Sequence, residues 1–439
     1  MKILKRILRI TKYIFVIVVV LLFALILILF SPALWRHWIT YPQLEKARTA
    51  WWAERKVPEQ YIQMMENKGV LHAHTYWSHD SRGTLPEILE AAKAAELDFI
   101  FFSDHAHGKL DTFPRSYHGV FDGIIMEAGT ESSNGLMVNP FDSVVLDWNK
   151  EMPELIEQVT GNNGFVAYVH TEKEHPWDNP HYQAMEIYNV HTDILDESSI
   201  LPIVINNTVN GGKYMHWCFR EFYDDQTAIL ANWDNLNKTR RIVGIGAADA
   251  HNNQSFRARY TDDGQVEWVG SNAKTISIKN PGLLDKILLG EPDKNGWAFR
   301  WELDPYFASF NAINNHVYCD TFSNVNIKEN IIKGHLFIAF ENLGNADGFQ
   351  YFSMDKLDKL TAIPGDSVSV AGAVTLKAVS PLPVVFRLYD SGVLIEESQR
   401  GYEYEYKCAG RPGNYRVVAV TELNGRITPW IFSNPIYVY

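Results

Sequence analysis

The stretch LHAHTYWSHDSRGTLPEILEAAKAAELDFIFFSDH, residues 71–105, decides the fold. It opens on an apolar run, VLHAH at 70–74, that ends in two histidines. Thr84 and Glu87 then form a T-x-x-E capping box, and ILEAAKAAE follows with helical spacing. A second apolar run, LDFIFFSDH at 97–105, ends at Ser103-Asp104-His105. Strand, helix, strand in this order implies a parallel pair. Working outward, similar runs recur: GIIMEAGTE at 123–131, FVAYVH at 165–170, AMEIYN at 184–189, LPIVIN at 201–206 and RIVGIGAADAH at 241–251. Alternating runs and helices predict an α/β fold with a mostly parallel sheet over residues 67–315. Seven such runs point to a closed or distorted barrel rather than an open sheet.

Beyond residue 325 the pattern changes. HLFIAFE, SVSVAGAVTLKAV, VVFRLYD, YEYEYK, YRVVAVTE and NPIYVY follow one another with turn signals and no helices between them. This predicts an all-β sandwich over 325–439. At the other end, residues 1–12 carry five Lys or Arg and no acid, and residues 13–30 are uninterruptedly apolar. Such a run just spans a bilayer. The positive-inside rule puts residues 1–12 in the cytoplasm and the chain after Pro32 outside. The expectation is a single-pass protein of a bacterial-type inner membrane, with its bulk periplasmic. A cleaved signal peptide is the alternative, since Ser31-Pro32-Ala33 offers small residues, but the apolar run exceeds the usual signal core. Residues 33–66 read as a juxtamembrane helix or linker. There Trp35, Trp38 and Tyr41 suit either the membrane interface or packing on the first domain.

The net charge of -12 argues against a nucleic-acid duplex as partner. It leaves room for an anionic substrate if metal ions supply local positive charge. Cys218, Cys319 and Cys408 contain no C-x-x-C, which excludes cysteine-held zinc; buried, inert thiols are the expectation. There is no nucleophile elbow and no phosphate-binding Gly-Lys loop. Gly244-Ile245-Gly246 lacks the third glycine of a dinucleotide turn.

Chemistry gathers at strand ends. His72, His105, Glu131, His170, Asp249 and His251 all fall at the C-terminal ends of expected strands, which converge on one face of a barrel. His72-Ala73-His74 and Asp249-Ala250-His251 space two donors by two residues, on one side of a strand. Nitrogen and oxygen donors without thiolate suit Zn, Mn or Fe.

The 71–105 stretch resembles the opening of a PHP domain (polymerase and histidinol phosphatase family). Gly129-Thr130-Glu131, the strand-end His170 and ADAH at 248–251 resemble its later motifs, in order. The C-terminal part, ending PWIFSNPIYV, is similar to an extension on some exported members. The resemblance implies a distorted (β/α)7 barrel holding two or three metal ions. By motif position His72, His74, Glu131 and Asp249 would hold the first. Glu131 would bridge to a second with His170. His105 and His251 would hold a third, with His79 or Asp80. The family commonly supplies one more histidine before the residue matched by His170. None occurs here between His118 and His170, and His175 is the nearest substitute.

The resulting expectation is a phosphoesterase acting on a small, anionic ester through a metal-activated hydroxide. His105, Asp104 and Arg115 are the catalytic candidates. Asp104 would orient its neighbour, and Arg115 or Lys109 would clamp the phosphate. A carboxylic or carbamic ester hydrolase on the same fold is the second reading. A degenerate, non-catalytic envelope-binding module is the third. No protein partner is expected.

Overall fold

The computed structural model describes residues 2–105, 108–195, 197–372 and 374–439. Its helix α1 (Lys2–Trp35) contains the apolar run and is long and apolar enough to cross a membrane. After a π-helical turn at Arg36–Thr40 it continues as α2 (Tyr41–Trp52). Trp35 and Trp38 are exposed, but Tyr41 is fully buried and takes a hydrogen bond from Asn206. Trp51 packs edge-on against Trp430. The 33–66 segment is therefore helical where it leaves α1 and docked on the rest of the chain.

The strands carrying the candidate site are β1 (Met65–Ala73), β2 (Phe99–Phe102), β3 (Asp104–His105), β4 (Ile124–Glu127), β5 (Thr130–Glu131), β6 (Leu136–Asn139), β7 (Phe165–Tyr168), β8 (Ala184–Asn189) and β9 (Val243–Ala250). Helix α3 (Leu85–Ala94) lies between β1 and β2, with the Thr84/Glu87 capping box formed. β2 pairs in parallel with β1 and β4, and β3 with β5. β6 then pairs antiparallel with β5 and β7. β7 with β8, β8 with β9, and β9 with β1 are parallel. The succession of pairings returns to the strand where it began. Its side chains are almost entirely buried, as strands with both faces covered require.

Two expectations need correction. LPIVIN at 201–206 is not a strand. It opens helix α4 (Ile200–Arg220) with Ser199 as the N-terminal flank and Pro202 in the first turn, where proline removes no helical bond. Ile200 and Leu201 are exposed, so only part of the run is core. The second correction concerns the mostly parallel order: β8 pairs directly with β9, and the unforeseen β6 enters between β5 and β7, antiparallel to both.

A separate four-stranded antiparallel sheet follows: β10 (Ser255–Tyr260), β11 (Val266–Val269), β12 (Thr275–Lys279) and β13 (Phe299–Glu302), ordered β12-β11-β10-β13. The short helix α5 (Leu283–Leu288) lies between β12 and β13. The chain then returns to the large sheet through β14 (Asn314–Cys319), antiparallel to β1, and β15 (Leu336–Ala339), antiparallel to β14. Mostly antiparallel strands fill the C-terminal region, the longest being β16 (Thr375–Asp390), β17 (Gly413–Leu423) and β18 (Arg426–Ser433). β18 pairs with β15, so hydrogen bonding runs unbroken from β1 into this region. The three cysteines are buried free thiols.

Candidate metal centre

The C-terminal ends of β1, β3, β5 and β9, with His170 two residues beyond β7, deliver their polar side chains to one place. His72 Nε2 lies 3.0 Å from both Glu131 Oε2 and Asp249 Oδ1. His74 Nε2 is 3.4 and 3.3 Å from the same two atoms. His170 Nε2 is 3.2 Å from Glu131 Oε1. Asp80 Oδ2 sits between His105 Nε2 at 3.5 Å and His251 Nε2 at 3.3 Å. The His74 and His251 rings stack 3.8 Å apart. Donor atoms fall into three overlapping groups, each within 4.8 Å: His74, Asp80, His105 and His251; His72, Glu131 and His170; His72, His74 and Asp249.

The backbone is bent to achieve this. His72, His170 and Asp249 have φ of +63°, +53° and +45°, values uncommon outside glycine and costly to hold. The register of β1 against both neighbours slips between Leu71 and Ala73. Such a bulge re-aims a side chain beside a site. His72 and His74 thus share the cluster through a kink, not through simple strand alternation.

Second-layer contacts orient the imidazoles. His72 Nδ1 is 2.5 Å from Glu186 Oε1, and the same carboxylate accepts the His170 N–H at 2.7 Å and Asn189 Nδ2 at 3.0 Å. Asn189 Nδ2 also donates to Asp249 Oδ2, at 3.2 Å. His170 Nδ1 meets Thr192 Oγ1 at 3.1 Å, and His74 Nδ1 meets Ser78 Oγ at 2.9 Å. Strand-end reasoning overlooked Glu186, which lies inside a strand. The available signal was a lone acid in an otherwise apolar, fully buried run, which needs a partner.

Charge is balanced inside the cluster. Burial opposes the charged form of Asp249, Glu131 and Asp80, yet the surrounding imidazoles hold all three carboxyls well below the usual range. Burial likewise opposes the imidazolium of His170 and His251, but the facing carboxylates raise both to about 9. His72 is also raised, against its burial, by Asp249, Glu131 and Glu186. His74 falls to about 4 through burial and the neighbouring His251. Buried His191, stacked on His251, falls to about 3 for the same reasons.

Two carboxylate oxygens of the cluster, Asp249 Oδ1 and Asp80 Oδ1, are buried without a hydrogen-bond partner. For Asp249 Oδ1 this holds although His72 Nε2 is close by. A buried carboxylate oxygen without a hydrogen bond is costly and rare. A cation at the junction of the three groups would satisfy Asp249 Oδ1, and N/O donors of this kind could hold a divalent metal.

The remaining expected residues are placed as follows. Asp80 belongs to a donor group, while the His79 ring lies 5.1 Å from that of His105. Asp104 points away from its neighbour's ring. It accepts the Thr75 N–H at 2.6 Å and the Thr75 hydroxyl at 2.9 Å, fixing the loop after β1, and burial raises its carboxyl to about 7. His175 does not join the cluster; it is buried in a stack on Tyr168, 4.8 Å between rings. Arg115 is exposed on a 3-10 turn, and Lys109 faces Asp147 at 3.7 Å. A cavity of about 520 Å³ opens beside the cluster, with Asn189, Thr192, Thr171, Glu172 and Trp177 in its wall.

No family sequence profile matches the chain, and no curated protein does. Among solved structures it is similar to a two-domain protein from Bacteroides vulgatus ATCC 8482, described as containing a predicted PHP-like metal-dependent phosphoesterase. The identity is 12%, the match covers 87% of this chain and 98% of that one, and the TM-score is 0.31. A likeness this loose carries no argument, so the function is argued from the site.

Proposed function

We propose that the chain is a membrane-anchored, metal-dependent hydrolase, acting most readily on a small phosphate ester. The observation that carries this reading is the unpartnered Asp249 Oδ1, buried where three donor groups overlap. The strand circuit that frames it is read as a distorted barrel of the PHP type at 67–315, and the C-terminal strands as a sandwich at 325–439. Helix α1 is read as the anchor, with residues 1–12 cytoplasmic and the rest periplasmic.

His72, His74, Glu131, Asp249 and His170 would hold one pair of metal ions, with Glu131 offering an oxygen to each. Asp80, His105 and His251 would hold a third with His74. Such ions supply Lewis acidity and lower the pKa of a coordinated water. The protein's own part is positioning. Glu186 fixes the His72 ring and the His170 backbone together, so these donors move as one unit. Asp104 holds Thr75, and with it the turn that carries Asp80. Asn189 and Thr192 contact Asp249 and His170 from the wall of the 520 Å³ cavity, which we assign to the substrate. Its small volume suits a small ester better than a duplex.

The test is elemental analysis of the full chain purified in detergent, with a panel of phosphomonoesters, phosphodiesters and aryl carboxylic esters. We expect bound transition metal and phosphoester turnover, both lost in His72→Ala. Turnover confined to the carboxylic esters would transfer the site to the second substrate class. Metal-free protein whose behaviour His72→Ala leaves unchanged would sink the hydrolase reading.

A further inference from the structure

Among the described residues outside α1, exposed aliphatic side chains are scattered, but one short stretch holds the densest set. Ile276 and Ile278 of β12 and Leu283, Leu284, Ile287 and Leu288 of α5 are each 50% or more exposed. Six large aliphatics within thirteen residues form the kind of patch that a soluble surface avoids unless something covers it. β12 is an edge strand of the small sheet, and the exposure of these side chains leaves the face uncovered among the described residues.

The charges around the patch select its occupant. Lys274, Lys279 and Lys286 flank it and are exposed, in a chain whose net charge is -12. The acid inside the stretch, Asp285, is buried; it accepts from Trp268 Nε1 at 2.8 Å and from the Gly282 N–H at 2.7 Å, and it pairs with Lys279 at 3.6 Å, which leaves Lys274 and Lys286 as the unpaired cations of the rim among the described residues. Aliphatics rimmed by lysine are the composition of an element that lies in the interface of an anionic bilayer.

The fold also brings one edge of this sheet, β13, near the end of α1, with β12 at the opposite edge. Asn210 of α4 donates to the Ala33 carbonyl at 3.0 Å and faces His37 Nδ1 at 2.9 Å, so α4 braces the end of α1. One turn earlier on α4, Asn207 donates to the Glu302 carbonyl at 3.0 Å, and Thr208 takes the Trp301 indole N–H at 3.2 Å. Both partners are in β13 of the same small sheet. A single helix therefore couples that sheet to the point where α1 ends.

We infer that the β12–α5 face is a second membrane contact, seated by its aliphatics in the headgroup region of the anionic bilayer that α1 enters. This rests on the reading of α1 as membrane-spanning. With two attachments, the body of the protein is held at a fixed tilt to the membrane instead of swinging on one helix.

The experiment uses the full chain in vesicles of phosphatidylethanolamine and phosphatidylglycerol. A polarity-sensitive fluorophore is placed at Leu284→Cys, at Val393→Cys or at Val20→Cys; the native thiols are buried. Val393 is a control of the opposite kind, exposed and aliphatic but followed closely by Glu396 and Glu397. With brominated acyl chains, we expect quenching at 284 at least threefold stronger than at 393. Lys274→Glu/Lys279→Glu/Lys286→Glu should cut the quenching at 284 by half or more. Equal quenching at 284 and 393 overturns the inference. A blue shift at 284 without lipid quenching also overturns it, because a second copy then covers the patch. The label at 20 reports the anchor separately: if it is quenched and 284 is not, only the second contact fails, and if it is not quenched the anchor reading fails.

Discussion

β1 carries a buried cluster of imidazole and carboxylate at each end, and the two are built differently. At its C-terminal end His72 stands on a left-handed backbone, in a bulge, beside an unpartnered Asp249 oxygen. At its N-terminal end Glu66 and Lys68 lie in regular register against Tyr318 and His316 of β14. There His316 Nδ1 is 2.7 Å from Glu66 Oε1, and its Nε2 is 3.3 Å from Glu341 Oε1. Each carboxylate also accepts a backbone N–H, Glu66 from Gly348 and Glu341 from Ala346. Asp347 brings a third possible donor near, but the Lys68 ammonium, 3.7 Å from Glu341, already supplies positive charge. Both clusters have the residue types of a metal site. Only the first combines strained backbone with an oxygen left for something else. Strained backbone with an unpartnered carboxylate oxygen marks the working end; at the seam joining β1 to the 341–348 loop the backbone is regular, the buried atom left over is His316 Nε2, and Lys68 already supplies positive charge.

The largest effect expected at the seam is on stability. Burial opposes the His316 imidazolium, yet Glu341 and Glu66 hold its pKa up to about 9. That lies above the unfolded value of roughly 6.5. The stabilisation is therefore complete below about pH 6.5. It is lost as the pH climbs through 9. At pH 6, His316→Gln should cost on the order of 3 kcal/mol, seen as a lowered Tm, with metal content unchanged. At pH 10 the variant and the parent should nearly coincide. A drop in metal stoichiometry in this variant would erase the distinction between the two ends.

At the other end, Glu186→Gln should move metal binding and not the seam. Losing the carboxylate that holds His72 Nδ1 should weaken metal affinity by about 10–100-fold, measured by chelator competition. Hydrolysis should recover at high metal concentration, because the donors themselves are intact. Unchanged affinity would mean that Glu186 serves packing alone.

What could be read from the sequence follows from where each polar residue sits. His72, His105, Glu131, His170, Asp249 and His251 were visible because each closes an apolar run, and strand ends converge in space. Glu186 was not, because it interrupts a run instead of ending it. The spacing of His72 and His74 pointed to the right neighbours by the wrong route: alternation was the argument, and a bulge is the device. LPIVIN misled because a short apolar run has no period that separates strand from buried helix. The small sheet at 255–302 escaped because Ile276 and Ile278 face outward, so its strands do not resemble core.

Arg115 sharpens the same contrast at its weakest point. A phosphate clamp was expected there from its place after Ser103-Asp104-His105. The structure instead puts it on the exposed turn Phe113–Arg115, with no hydrogen bond or ion pair from its guanidinium among the described residues. A clamp must meet the substrate at a fixed distance, and that demands a side chain held by its surroundings, as His72 is by Glu186. An untethered surface charge contributes only long-range attraction, which salt screens. Arg115→Ala should therefore lower kcat/KM by less than about threefold, and the small loss should shrink further at high ionic strength. A salt-insensitive loss of about thirtyfold or more, roughly 2 kcal/mol of transition-state binding, would show that the 113–118 turn closes over bound substrate. Arg115 would then belong with the strained, working end of the molecule.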